Sequence, residues 1–214
     1  MPTLKAVLSA VRKELILRDE LREKSQEDMR KVTSLSKQAI LLIHQKRLEE
    51  AKKLIARASE TLSKLWDTSA AHPDIIYTGL FSAALQEYSE ANIFLRLVQE
   101  SKFLRPGEIQ VSAADYVLGL ADVIGECRRL ALDALREGNP ERAENCLQTM
   151  DEIFIELMGM DESYMLVPGL RRKCDVARKL IEITRGDVTQ EIRRSLLEEH
   201  LKQVEKSLRK RRYT

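Results

Sequence analysis

Turn-making residues are scarce in this chain. Eight Gly and five Pro among 214 residues leave few places where the backbone can reverse tightly. Aromatic residues make up only 5%, and no stretch alternates strictly between Val, Ile or Thr and polar residues, so strands have no signal. The fold class is therefore all-α. Long apolar runs are missing too: none approaches the roughly 18 to 20 residues of a membrane span. Lys5, Arg12 and Lys13 interrupt the apolar residues where a secretory leader would carry its hydrophobic segment. The three cysteines, Cys127, Cys146 and Cys174, are odd in number, far apart and without a Cys-x-x-Cys. That argues against a zinc knuckle or a disulfide framework, and for packed thiols in a reducing cytoplasm. A surplus of one charge sign is also absent. The 36 Lys and Arg against 34 Asp and Glu leave a net charge of +2, too small for a polyelectrolyte binder that is basic over its whole surface.

Several catalytic signatures are missing as well. There is no Gly-x-Ser-x-Gly and no cysteine beside a recognisable histidine segment, which removes the common nucleophile motifs. No Walker or Gly-x-Gly-x-x-Gly loop is present, against nucleotide hydrolysis. A di-iron helical bundle needs Glu-x-x-His pairs. Here Leu41, Ser69 and Leu197 stand three residues before His44, His72 and His200, so that reading fails.

What is present is helical periodicity from end to end. The length suits one large helical domain with a single core, or two small ones; one domain over residues 1–214 is expected, with a basic tail at 206–214. Thr3 offers an N-cap, after which Leu4, Leu8, Val11 and Leu15 step at three and four. The stripe fades from Arg22 to Asp28 and resumes with Met29, Val32, Leu35, Ala39 and Leu42. No Pro or Gly intervenes before Arg47, so the spacing predicts a first helix of about 40 residues, about 60 Å long. A compact domain of this size is about 45 Å across. Unless the polar stretch kinks, such a helix overhangs its own domain, and the excess calls for cover by a partner subunit. A second helix is predicted from Leu48 to about Trp66, then a loop to Pro73. Further helices are predicted from about Asp74 to Glu100, from a Ser112 cap to Gly138, from Pro140 to Gly159, and from Leu170 to Thr184. Gly186 is expected to end that helix and Asp187 to begin a seventh, to about Lys206.

Within the third of these helices Glu87 and Glu90 lie three apart, on one face. Glu87 has Ala83, Ala84, Ala91 and Glu90 at helical distance; Glu90 has Gln86, Glu87, Ile93 and Phe94. Neither has Lys or Arg within reach along its own helix, unusual where 33% of residues are charged. Two like charges on an apolar, alanine-rich face cost stability unless a cation from elsewhere lies between them. A divalent metal is the obvious candidate, because hard cations take carboxylate oxygens. Asp151 resembles them, with Leu147, Gln148, Phe154 and Ile155 at three and four residues. Glu126 differs, since Asp122 precedes it by four and Arg129 follows by three, so a helical salt bridge explains it. Arg128 and Arg129 can also reach a phosphate. Arg171, Arg172 and Lys173 begin a helix, where cations oppose the dipole.

These residues resemble a known family. Leu85-Gln86-Glu87-Tyr88-Ser89-Glu90-Ala91 is similar to the L-Q-E-Y-x-E-A segment of translin-associated factor X, with Ser89 where Val is usual. Asp115-Tyr116-Val117-Leu118-Gly119 is similar to the D-Y-L-x-G that opens a translin helix, and Gly125 to Leu130 to the segment that follows it. Asp151 falls at the position of an aspartate on the family's fifth helix. The resemblance implies a seven-helix translin-like bundle that assembles into an octameric closed shell with RNA inside. It implies a metal-dependent endoribonuclease of the factor X branch, with Glu87, Glu90 and Asp151 as catalytic and metal-holding acids. Glu126 and Arg129 are accessory candidates, and Arg30, Lys31, Lys37 and Arg128 are candidate RNA contacts.

The leading expectation is hydrolysis of short RNA, single-stranded or duplex, with Mg²⁺ or Mn²⁺ held between the three acids. The alternative is a non-catalytic translin-like shell that binds single-stranded RNA or DNA, its acids merely structural. A third possibility is a helical scaffold for protein partners, for which no RNA should be retained at physiological salt.

Overall fold

The computed structural model describes residues 3–160 and 164–212, with the side chains of 209–212 outside the description. Among the described residues there are seven α-helices and no strand. They are α1 (Leu4–His44), α2 (Leu48–Ala71), α3 (Pro73–Ile76), α4 (Gly79–Glu100), α5 (Ala113–Arg136), α6 (Pro140–Met158) and α7 (Leu170–Arg212), with a 3-10 turn at Pro106–Glu108. None of them is long and apolar enough to cross a membrane. The chain divides within α5 into two compact units, residues 1–120 and 121–214.

In the first unit α1 packs on α2 and α4. It is a single helix of 41 residues. The Thr3 hydroxyl accepts from the Ala6 amide at 3.4 Å and so caps it. Its two halves behave differently. No residue from Thr3 to Lys24 is buried, whereas Ser25, Met29, Val32, Ser36, Ala39 and Ile43 are, at alternating steps of four and three. The inner half meets α2 through Ala51, Ile55, Ala58, Leu62 and Leu65, all buried. Its small residues let the helices approach, and the larger ones fill the gap between them.

Between α2 and α4 the structure departs from the sequence pattern. The helix expected to end near Trp66 continues to Ala71, because its polar residues turn back onto their own helix. Thr68 donates to the Lys64 carbonyl at 2.9 Å and Ser69 to that of Trp66 at 2.7 Å. Pro73 then opens the single turn α3 at its first position, where a missing amide proton costs nothing. α4 begins only at Gly79, not Asp74.

The start of α5 is tied to α4 by Asp115, which is 8% exposed. Its amide donates to the Ser112 hydroxyl at 3.0 Å, the cap that the sequence predicts. Its carboxylate accepts from Ser112 at 2.7 Å and also from Ser82 of α4. One turn on, Gly119 meets α4 backbone to backbone. A Cβ there would lie 2.7 Å from both the Gln86 carbonyl oxygen and the Ser89 Cβ, and 3.0 Å from the Glu90 nitrogen.

In the second unit α6 packs on α7. Asn139 caps α6 by accepting from the Arg142 amide at 2.9 Å, and Pro140 stands in its first turn. Ala143, Leu147, Met150, Ile153 and Leu157 of α6 are buried, as are Leu170, Cys174, Ala177, Ile181 and Val188 of α7. Gly186 does not end a helix, contrary to the sequence reading. α7 is one helix of 43 residues that runs on through the basic tail to Arg212. A lone helical Gly costs only about 1 kcal/mol relative to Ala, and no proline follows to enforce a stop. The expected count of seven is met by a different division: one helix gained at α3 and two merged in α7.

The two glycines should answer oppositely to alanine. Gly119→Ala drives a methyl into rigid backbone and should lower the urea unfolding free energy by about 1–3 kcal/mol. Gly186→Ala meets nothing within 4 Å and should raise it by up to about 1 kcal/mol. Equal effects in the same direction would contradict the packing described.

Candidate functional site

The motif acids occupy different units: Glu87 and Glu90 the first, Glu126 and Asp151 the second. On α4, Glu90 is buried, with 8% exposure, and its backbone nitrogen lies under Gly119. Glu87, a turn earlier, keeps 25% of its side chain exposed. The α4–α5 contact fixes both. Ser89 between them donates to the Leu85 carbonyl at 2.7 Å and is fully buried, so it faces α5 and not the acids' surroundings. Tyr88 is buried too, and Asn92 donates to its carbonyl at 2.8 Å.

The cation that the sequence reading sought near Glu87 comes from another helix. Lys37 of α1 places its Nζ 3.1 Å from Glu87 Oε1. Lys37 was expected to face RNA; in the structure it faces the acid and is itself 63% exposed. Arg30 and Lys31, on the same inner half of α1, are exposed, and Arg30 reaches Gln26 at 3.5 Å. Arg30 and Lys37 are seven residues apart, hence two turns along one face. The exposed cations of α1 therefore run toward Glu87.

In the second unit Asp151 is matched as well. Arg185 Nη2 of α7 lies 2.8 and 2.9 Å from its two oxygens. Arg128 is engaged with α7: its Nη1 is 2.6 Å from the Thr184 hydroxyl and 3.5 Å from Asp187. With 21% of its side chain exposed, it is a packing arginine more than a free phosphate contact. Arg129 beside it is exposed. Asp122 binds Lys173, so one of the three cations at the start of α7 is explained by an ion pair. The three cysteines are free thiols. Burial pushes each above the usual thiol range, with the Cys146 charge adding to the effect on Cys127. They are poor nucleophiles, as packed thiols should be.

Whether the acids fit a metal divides into chemistry and geometry. An all-carboxylate set suits Mg²⁺ or Mn²⁺. Among the described residues, however, no three His, Cys, Asp or Glu are gathered so as to hold an ion. The Glu87–Glu90 pair is what the first unit offers, and Mg²⁺ is commonly held by one or two carboxylates with substrate phosphates completing its shell. The chemistry of the two carboxylates suits such an ion.

The family model for translins matches residues 20–182. The chain belongs to the translin family. An uncharacterized protein of Methanocaldococcus jannaschii is 33% identical over 190 residues, 88% of this chain and 84% of that protein. The structure of an AfC3PO–duplex RNA complex matches with a TM-score of 0.78 and 34% identity, over 88% of this chain and 98% of that one. The crystal structure of AfC3PO gives 0.79 and 35% over the same shares. Apo-NeC3PO, 21% identical over 86% of this chain and 96% of that one, shares the fold at a TM-score of 0.76. The match is to the translin family as a whole and does not separate its factor X branch.

Sequence reasoning missed both pairings, because each cation lies on a helix remote in sequence from its acid. As partly exposed pairs they are weak. Lys37→Met and Arg185→Leu should each lower the unfolding free energy by no more than about 1 kcal/mol in urea melts. Asp115→Ala, which keeps the amide bond to the Ser112 cap but strands the Ser82 and Ser112 hydroxyls, should cost more, about 1–3 kcal/mol.

Proposed function

We propose that this protein binds RNA and cleaves it with a divalent metal. The observation that carries the binding half is the 34% identity, along almost the whole length of the other chain, to a protein whose structure holds duplex RNA. The cleavage half rests on Glu87 and Glu90, two carboxylates a turn apart on a helix held rigid by α5. These two would hold Mg²⁺ or Mn²⁺, and by resemblance Asp151 would be the third acid, with Glu126 and Arg129 accessory to it. When bound, the ion polarises a phosphate oxygen and supplies a water of lowered pKa.

The chain's own groups do the rest. Arg30, Lys31 and Lys37 draw the phosphate backbone along α1 toward Glu87. The Lys37–Glu87 pair is partly exposed and costs about 1 kcal/mol or less to open, so an arriving phosphate can draw the lysine away and free the carboxylate. Ala83, exposed one turn before Glu87, leaves room for that approach, whereas Ala84 and Ala91 are fully buried. Self-assembly into an octameric shell, as the resemblance implies, would confine the reaction to short strands.

A second reading is non-catalytic binding of single-stranded RNA or DNA. The lysine on Glu87 and the arginine on Asp151 favour it, since both acids are already compensated.

Labelled short RNA, single-stranded and duplex, incubated with Mn²⁺ or Mg²⁺ and with EDTA, separates the two. Cleavage is expected with metal only. Glu87→Gln and Glu90→Gln are expected to lower it more than about 100-fold, the scale of a lost group in metal or electrostatic catalysis, while RNA is still retained. Retention without products under every metal condition would leave the binding reading standing. Absence of retention even at low salt, where phosphate contacts are strongest, would overturn both.

A further inference from the structure

Two exposed apolar stripes of the same design lie outside the residues that the family model matches. On the outer half of α1, Leu4, Leu8, Val11 and Leu15 are 74%, 57%, 44% and 60% exposed. Toward the end of α7, Leu197, Leu201, Val204 and Leu208 are 61%, 58%, 56% and 61% exposed. Both sets step by four, three and four, the spacing of a coiled-coil seam, and each extends about 16 Å along its helix. We propose that these two stripes cover each other between copies of this chain, α1 of one copy packing antiparallel on α7 of another.

The flanking charges choose the partner and its direction. Lys5 and Arg12 follow Leu4 and Val11 on one edge of the α1 stripe, seven residues apart and both exposed. Glu198 and Glu205 occupy the same edge of the α7 stripe, also seven apart and exposed. Antiparallel packing sets like edges together. Leu4 then meets Leu208, Val11 meets Leu201, and the two cations face the two carboxylates. The opposite edges bring Glu14 toward His200. Glu198 already lies 3.4 Å from Arg194 on its own helix, so the added cation joins a surface network instead of an isolated acid.

Other pairings do worse. A parallel arrangement of α1 on α7 turns Lys5 and Arg12 toward Arg193 and His200 and away from the glutamates. Two α1 stripes packed antiparallel oppose Lys5 and Arg12 to themselves, and packed parallel they bring Glu14 to Asp19. Two α7 stripes packed together leave the α1 stripe in water. Only the mixed antiparallel pairing covers both seams and sets Lys5 and Arg12 against carboxylates. It is heterologous, so it either closes into a ring or is made twice between two copies.

The test uses the full chain, coexpressed under two tags, one copy with Val11→Cys and the other with Leu201→Cys. Both positions are exposed, and circular dichroism confirms that each variant is folded. Mild oxidation is expected to give an 11–201 disulfide between copies, identified by peptide mass and several-fold above either variant alone. Lys5→Glu with Arg12→Glu should reduce the yield, and adding Glu198→Lys with Glu205→Lys on the other copy should restore it. Leu201→Cys copies linking to each other as fully as the mixed pair would overturn the proposal in favour of an α7–α7 contact. It is equally overturned by no link above the unsubstituted chain, or by charge reversals without effect. None of these readouts involves RNA or metal.

Discussion

A close approach of two helices, which only glycine permits, sets the candidate site. At Gly119, α5 comes down onto the backbone of α4, and a single methyl group would collide with Gln86 and Ser89. Glycine and serine there allow a helix separation that larger side chains would forbid. Ser82 and Ser112, both hydrogen-bonded to Asp115, hold the same pair of helices a turn away. Because α4 cannot rotate against α5 without breaking that contact, Glu90 is kept inside and Glu87 at the edge. The rotational setting of the acids thus follows from two small residues and one capping network.

Much of the fold is legible in the sequence for reasons local to each element. The Thr3, Ser112 and Asn139 caps, the Pro140 start and the unbroken run of α1 are dictated by residues within a few positions of one another. The errors have local causes too. At 67–71 a polar stretch looked like a loop, but its hydroxyls bonded back to their own helix. At Gly186 the sequence carried a stop signal with no proline or left-handed turn to complete it, and α7 continued.

The site was legible only in part, and the missing part is of another kind. That Glu87 and Asp151 lack basic neighbours along their helices is correct. Their partners, Lys37 and Arg185, stand 50 and 34 residues away, and helical spacing does not report on them. The burial of Glu90 between apolar neighbours was readable from their spacing; the cations that cross between helices were not. Isolated surface pairs of this sort contribute little to stability, so their value as evidence is in what they leave available. A lysine over a carboxylate is a site that can change hands when a more highly charged ligand arrives.

The setting of Gly186 has a mechanical consequence. The residue lies where a 43-residue rod has its least constrained backbone. Arg128, reaching from α5, grips Thr184 two residues before it and Asp187 one residue after it. That guanidinium acts as an external splint across the soft point. The bearing of the last two dozen residues of α7 is therefore inherited from α5 and not from the stiffness of the rod alone. A load on that distal arm is shared between this arginine, the Arg185–Asp151 pair and the buried Val188.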